Sequence, residues 1–152
     1  MITIRKMTEA DTTEVLAMMR VFYDSPAVIH TASDEILQKD IADCVSDMPF
    51  LEGFVFEADG QVAGYAMITC CYTTEYGGIC VWVEDLYLKP DYRRMGISTQ
   101  FFQFIEEKYP QAVRFKLEVE QENEHAIASY RKNGYGISPY FEMTREIPQE
   151  ES

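Results

Sequence analysis

Residues 81–102, VWVEDLYLKPDYRRMGISTQFF, limit the possible folds more than any other stretch of the chain. The first part mixes β-branched and aromatic residues, which suit a pleated, half-buried strand. Pro90 then removes a backbone donor and stops the ladder. Past Gly96 the spacing of Phe101, Phe102 and Ile105 is helical. A second alternating run, VRFKLEVE (113–120), follows Pro110, so the helix reads as a crossover between two strands of one sheet.

The rest of the chain fits around this unit. ITIRKM reads as a first strand, followed by a helix that Thr8 or Asp11 can cap, with Val15, Leu16, Met18, Met19 and Phe22 on its apolar stripe and Pro26 beyond its end. A second helix is expected from Ser33, with Asp34 and Glu35 at the positive end of its dipole and Ile36, Leu37, Ile41 and Val45 buried, ending near Pro49. Asp59-Gly60 joins two strand-like runs as a two-residue hairpin turn. Asn123 can cap a helix that Gly134 ends, and YFEMTREI (140–147) reads as a closing strand. The order β, α, α, three strands, α, β, α, β predicts a mixed α/β fold in one domain, residues 1–147, with a disordered tail from Pro148 to Ser152.

Charge narrows the function classes. With 26 acidic and 13 basic residues in 152, the net charge is −13, which disfavours nucleic acid as a partner and favours a cationic ligand. The longest apolar run, Val62 to Cys71, is half what a membrane span needs, and the amino terminus lacks a secretory apolar core. These features predict a soluble, cytoplasmic protein. Four cysteines without CxxC spacing read as reduced packing residues, and two separated histidines give no support for a metal site.

Against this acidic background the turn RRMGIST is basic. Gly96 lets backbone approach a ligand closely, Ser98 and Thr99 offer hydroxyls, and Lys89, Arg93 and Arg94 offset the global field at a helix amino terminus, where unpaired N–H groups favour phosphate. Neither GxxxxGK[ST] nor a GxGxxG fingerprint is present.

RRMGIS, preceded by the strand VEDLYLKP, resembles the (Gln/Arg)-x-x-Gly-x-(Gly/Ala) signature of the GCN5-related N-acetyltransferase family, and NEHAIASYRKNGY resembles that family's second signature, Asn-x-x-Ala-x-x-x-Tyr-x-x-x-Gly-(Phe/Tyr). The two motifs cover residues 80–136, in the family's order and spacing. The resemblance implies an acyl-CoA N-acyltransferase-like fold, a central, mostly antiparallel mixed sheet flanked by helices, with the fourth and fifth strands splayed. It implies that Arg93, Arg94, Met95, Gly96, Ile97, Ser98 and Thr99 surround the pyrophosphate of acetyl-CoA, that the main chain of Leu86, Tyr87 and Leu88 and the side chain of Asn123 lie along pantetheine, and that Tyr130 lies near the sulfur. Ser98 departs from the usual glycine or alanine. Many relatives are dimers, so a homodimer is among the implications.

Acyl transfer to an amine needs a neutral amine, a donor for the developing oxyanion, and a proton for the departing thiolate. The resemblance assigns the oxyanion donor to a backbone N–H near Leu86 and the proton to Tyr130. For the base, Glu84 and Asp85 are expected on opposite strand faces, so that only one meets the substrate; Glu84 is preferred, as a half-buried carboxylate with a raised pKa. Glu118, Glu120, Glu122 and Glu124 alternate as one acidic face, and the resemblance makes the segment 22–30 the acceptor-facing loop, offering Tyr23 and Asp24 to orient an amine. The reading is an acetyl-CoA-dependent N-acetyltransferase acting on a small cationic amine such as a polyamine or aminoglycoside. The alternatives are a protein amino-terminal or lysine acetyltransferase, or a non-catalytic CoA-binding sensor.

Overall fold

A computed structural model describes residues 1–148. Of the tail expected from Pro148 onward, residues 149–152 lie outside the described residues. The elements are β1 (Ile2–Lys6), α1 (Thr12–Tyr23), α2 (Asp34–Val45), β2 (Leu51–Ala58), β3 (Gln61–Thr73), β4 (Gly78–Leu88), α3 (Ile97–Lys108), β5 (Ala112–Leu117) and α4 (Glu124–Lys132). They form a sheet in the order β1-β2-β3-β4-β5. All neighbours are antiparallel except β4 and β5, which the α3 crossover makes parallel.

Helices cover both faces. On one, Phe101, Phe102 and Ile105 of α3 pack against Phe54, Phe56, Ile68, Val81 and Val83. Phe54 meets Phe104 edge-on at 5.2 Å and Phe56 meets Phe101 at 5.4 Å. Truncating Phe101, which is fully buried, to alanine is expected to cost about 3–5 kcal/mol. On the other face, Val15, Met18 and Met19 of α1 and Leu37, Ile41 and Cys44 of α2 pack on Val55, Tyr65, Met67 and Tyr87. No helix among the described residues is long and apolar enough to cross a membrane.

Most boundaries follow local chemistry. Ser33 caps α2 by accepting from the Ile36 N–H, and Asp59 and Gly60, with φ of 51° and 80°, make the β2–β3 turn. At Gly64 a Cβ would lie 2.2 Å from the Tyr87 carbonyl oxygen, so β3 can approach β4 there only with glycine. Ile36, expected inside, is 44% exposed, and Cys44 takes the buried position one helical face around.

Two expectations need correcting. β5 stops at Leu117, so Glu118 and Glu120 lie in an irregular stretch and not on a strand face. Tyr140–Ile147 is not a strand: the segment has the right alternation but an irregular backbone, and Phe141 and Met143 are each 97% exposed.

Candidate active site

β4 and β5 pair from Ile79 opposite Ala112 to Val83 opposite Leu117, and there β5 ends while β4 continues to Leu88. Beyond Val83 the β5-facing edge of β4 has no ladder partner among the described residues, which is the divergence expected of the fourth and fifth strands. The resulting cleft has Val83, Glu84 and Leu86 on one wall and Leu117–Glu120 on the other, with Asn123, Tyr130, Phe22 and Ala27 closing it.

On its other edge β4 carries a bulge. Met67 pairs with Asp85 but Ile68 pairs with Val83, leaving Glu84 as the extra residue. Alternation therefore breaks. Val83 belongs to the α3 side, whereas Asp85 is hydrogen-bonded to Tyr23 and Tyr65 on the α1–α2 side. Glu84 accepts from the hydroxyl of Thr69 at 3.0 Å, and Thr69 is the neighbour of the α3-side core residue Ile68, on the opposite face. The expectation that Glu84 and Asp85 point to opposite faces is thus corrected: the bulge puts both on the α1–α2 side. The buried carboxylate is also the other one, since Glu84 is exposed and Asp85 is only 3% exposed.

Asp85 sits between two phenols. Tyr23 donates to Oδ1 at 2.9 Å and Tyr65 to Oδ2 at 2.8 Å. Burial pushes Asp85 up to about 6; the two hydrogen bonds oppose this, while the charges of Asp40 and Glu84 add to it. Burial and then the Asp85 charge raise both tyrosines as well, so each remains a donor at neutral pH. Asp40, on α2, is likewise raised, first by burial. On the opposite wall burial, then Glu142 and Glu84, raise Glu118. The cleft mouth is strongly acidic, a field that concentrates cations.

At the far end Tyr130 presents a phenol whose pKa burial raises, with its ring edge-on to Phe102 at 5.9 Å. Tyr135 packs on Phe102 at 5.0 Å, against the α3-side core. Asn123 caps α4 by accepting from the Ala126 N–H at 3.2 Å while lining the cleft.

The basic turn leads from β4 to α3. Leu86 lines the cleft, while Tyr87 is buried against Phe22, and the Arg93 guanidinium lies 5.9 Å over its ring. Arg93 Nε donates to the Leu88 carbonyl at 3.0 Å, fixing the turn to the strand end. Arg94 and Gly96 have positive φ, 63° and 78°. Arg93, Arg94, Met95 and Gly96 are exposed, Ile97 is fully buried as the anchor of α3, Ser98 is half-buried and Thr99 exposed. No side chain caps α3, and the first amide bonded to a helical carbonyl is that of Gln100, to Gly96. The amides before it are available to an anion.

Of the remaining sequence candidates, Tyr23 joins the site through Asp85. Asp24 does not line the cleft: its carboxylate is held by Arg20, at 3.0 Å, and by Thr31. Arg20 also binds Asp34 and the Ala32 carbonyl, so this cluster ties the α1–α2 connection to itself. Tyr65 and Asp40 were absent from the sequence-based set. A tyrosine inside the apolar run VAGYAMI was the visible signal for the first; nothing local distinguishes Asp40 from the other acids of α2.

Comparison with known proteins gives concordant results. A family model for the Acetyltransferase (GNAT) family matches residues 15–135. The thialysine N-epsilon-acetyltransferase of Mus musculus is 29% identical over 140 residues, 84% of this chain and 80% of that protein. The enzyme of that name from Sus scrofa is 28% identical over 145 residues, 88% and 83% of the two chains. Among solved structures, a possible acetyltransferase from Clostridium difficile 630 superposes with a TM-score of 0.81 at 21% identity, covering 97% of this chain and 99% of that one. AAC(6')-Iy in complex with the bisubstrate analog CoA-S-monomethyl-acetylneamine gives a TM-score of 0.80 at 15% identity, with coverage of 97% and 99%.

Proposed function

The chain belongs to the acetyltransferase (GNAT) family and is an acetyl-CoA-dependent N-acetyltransferase; from that premise we propose that its acceptor is a small cationic primary amine, acetylated by direct attack within the cleft between β4 and β5. The observation that carries this reading is the bulge at Glu84. It sets an exposed carboxylate on the cleft wall, with Asp85 and Asp40 behind it and the Tyr130 phenol at the other end. The names of the two curated relatives, which place acetyl transfer on an ε-nitrogen, support an amine on a short aliphatic chain.

The residues present fit the cosubstrate. An uncapped helix start, glycine at φ 78° and two exposed arginines suit a pyrophosphate, so Arg93 to Thr99 would hold that group, with Leu86 to Leu88 and Asn123 beside pantetheine. When bound, acetyl-CoA supplies an activated acetyl thioester.

The protein's own contribution divides into three parts. The acidic mouth draws in the ammonium, and Glu84 accepts its proton, directly or through water, so that the nitrogen becomes nucleophilic. A free backbone N–H of β4 near Leu86 donates to the oxygen on which charge develops; as main chain, it is preorganised by the ladder to β3. Tyr130, kept protonated by its burial, donates to the leaving sulfur. Asp85 is buried under the hydroxyls of Tyr23 and Tyr65 and does not line the cleft. It positions Tyr23 and the bulge from beneath.

The test is thiol release from acetyl-CoA with a panel of polyamines, aminoglycosides, free amino acids bearing side-chain amines, and peptides. Turnover with one or more small amines is expected. Turnover confined to peptides would overturn the small-acceptor reading in favour of a protein acetyltransferase, and CoA binding without turnover would favour a sensor.

A further inference from the structure

Cys44 and Cys70 pack into the two apolar cores, one on each face of the sheet, but Cys71 and Cys80 belong to neither. These two are cross-strand partners on β3 and β4, so their side chains leave the sheet on the same face. The Cys70 amide donates to the Phe50 carbonyl, on the β2 side, and the amide and carbonyl of Cys71, next along the strand, therefore face β4. Cys71 and Cys80 are thus a hydrogen-bonded pair, with Cα atoms about 5.5 Å apart. A disulfide spans roughly 4.4–6.8 Å between Cα atoms, and this spacing lies near its centre. The thiols also act on each other: burial first, and then Cys71, push the Cys80 thiol up to about 11.

Access to the pair is one-sided. Cys71 is exposed and Cys80 is buried, so a reagent from solution meets Cys71 first. The setting is also cationic, in a chain whose net charge is −13. Cys80 pairs with Arg114 of β5, whose guanidinium lies 4.7 Å over the ring of Tyr76. Lys116 lies 4.2 Å over Trp82, which is two residues from Cys80 and on the same face of β4. Two cations beside an exposed thiol suit a reagent that carries carboxylates.

We propose that Cys71 and Cys80 are a reversible thiol–disulfide site, closed by a low-molecular-weight disulfide bearing carboxylates. The Cys71 thiolate attacks one sulfur of the reagent and expels one small thiolate, leaving a mixed disulfide on Cys71. The Cys80 sulfur then attacks that of Cys71 and expels the second thiolate. The protons of both cysteines end on the two small thiols, so that two protein thiols are oxidised to one disulfide and one small disulfide is reduced to two thiols. The Cβ atoms of such a pair start about 5.5 Å apart, against ~4.5 Å or less in a disulfide, so closure draws the strands together. With one sulfur exposed, the bond is of the labile kind that small thiols reopen, and not a permanent staple.

Mass spectrometry of the full chain treated with millimolar oxidised glutathione tests this. Cleavage after glutamate separates residues 58–75 from 76–84, which hold Cys71 and Cys80 respectively. The two peptides are expected to be joined, with the chain lighter by two hydrogen atoms and free of glutathione, and reduced glutathione is expected to part them. Cys80→Ser is expected to keep glutathione attached at Cys71, and Cys71→Ser to show no joining. Lys116→Gln is expected to slow closure at least about threefold, and no slowing overturns the assigned ligand charge. Failure of the parent chain to join, joining that survives Cys71→Ser and so runs through Cys70, or a bond between two chains overturns the site. If Cys80→Ser fails to fold, the parent and Cys71→Ser decide, since Cys71 is exposed. None of these readouts needs an amine acceptor, so their failure is distinct from failure of the acceptor reading.

Discussion

Replacing Asp85 by asparagine tests the central electrostatic claim about the site. Asp85 is 3% exposed, and burial moves its carboxyl from an ordinary 3.8 to about 6, against the pull of the Tyr23 and Tyr65 hydrogen bonds. A group whose folded pKa is raised withdraws stability as it ionises. Its full contribution is present below the unfolded value near 4, and is lost progressively as pH rises through 6. The rise of about 2, at ~1.4 kcal/mol each, amounts to ~3 kcal/mol. Asparagine keeps an acceptor for one phenol and carries no charge. It is therefore expected to be the less stable protein at pH 4, through loss of one phenol's acceptor, and to gain ~3 kcal/mol relative to the parent by pH 7.

Urea unfolding of both proteins at several pH values between 4 and 7.5 measures this difference directly. A difference independent of pH would mean that Asp85 titrates like a free aspartate and that the phenols fully offset its burial. A difference of opposite sign, with the parent gaining on the variant as pH rises, would show the hydrogen bonds outweighing desolvation. Either result refutes the reasoning. The same variant separates positioning from proton transfer: its loss of turnover is expected to be accompanied by a changed KM for the amine, with acetyl-CoA binding unaltered.

Tyr130→Phe keeps the packing on Phe102 and removes the proton, so turnover is expected to fall about tenfold to a thousandfold with little change in acetyl-CoA affinity, measured by calorimetry. Gly96→Val must force a β-branched residue to φ 78°, and is expected to weaken acetyl-CoA binding at least about tenfold in the same assay; unchanged affinity would make the turn a simple cap. Glu84→Gln is expected to lower turnover about tenfold or more with acetyl-CoA affinity unchanged, whereas turnover equal to the parent's would remove Glu84 from proton transfer. Asp11, held down to about 2 first by its hydrogen bond from Arg5, stabilises the fold above pH 4, and Asp11→Asn is expected to cost ~2–3 kcal/mol at pH 7 and nothing near pH 1, read by urea unfolding.

What the sequence made legible was whatever depends on neighbours along the chain. Pro90, Gly96 and the helical spacing of Phe101, Phe102 and Ile105 are local signals, and they place the β4–turn–α3 unit correctly. Asn123 and Ser33 are caps because their side chains reach amides three residues on. The resemblance in two motifs then supplied the fold family, which the match over residues 15–135 shows. The alternating pattern of YFEMTREI was read equally well, but a pattern of period two states only that a strand suits the segment. Whether a ladder partner exists depends on an edge formed far away in sequence, here at β5.

The Glu84–Asp85 pair fails for a related reason. Alternation is a property of a regular ladder, and regularity is set by both strands. The extra residue on β4 exists because Met67 and Ile68, consecutive on β3, pair with Asp85 and Val83, which are not consecutive. Gly64 and Tyr87 pack so closely that a Cβ would strike the Tyr87 carbonyl, so the register below the bulge is fixed, while the Ile68–Val83 contact in the α3-side core fixes it above. Between two fixed registers one residue has nowhere to pair, and that residue is Glu84. Its carboxylate is turned toward the cleft by a mismatch between two anchored halves of one strand, and neither half carries a mark of it in its own sequence.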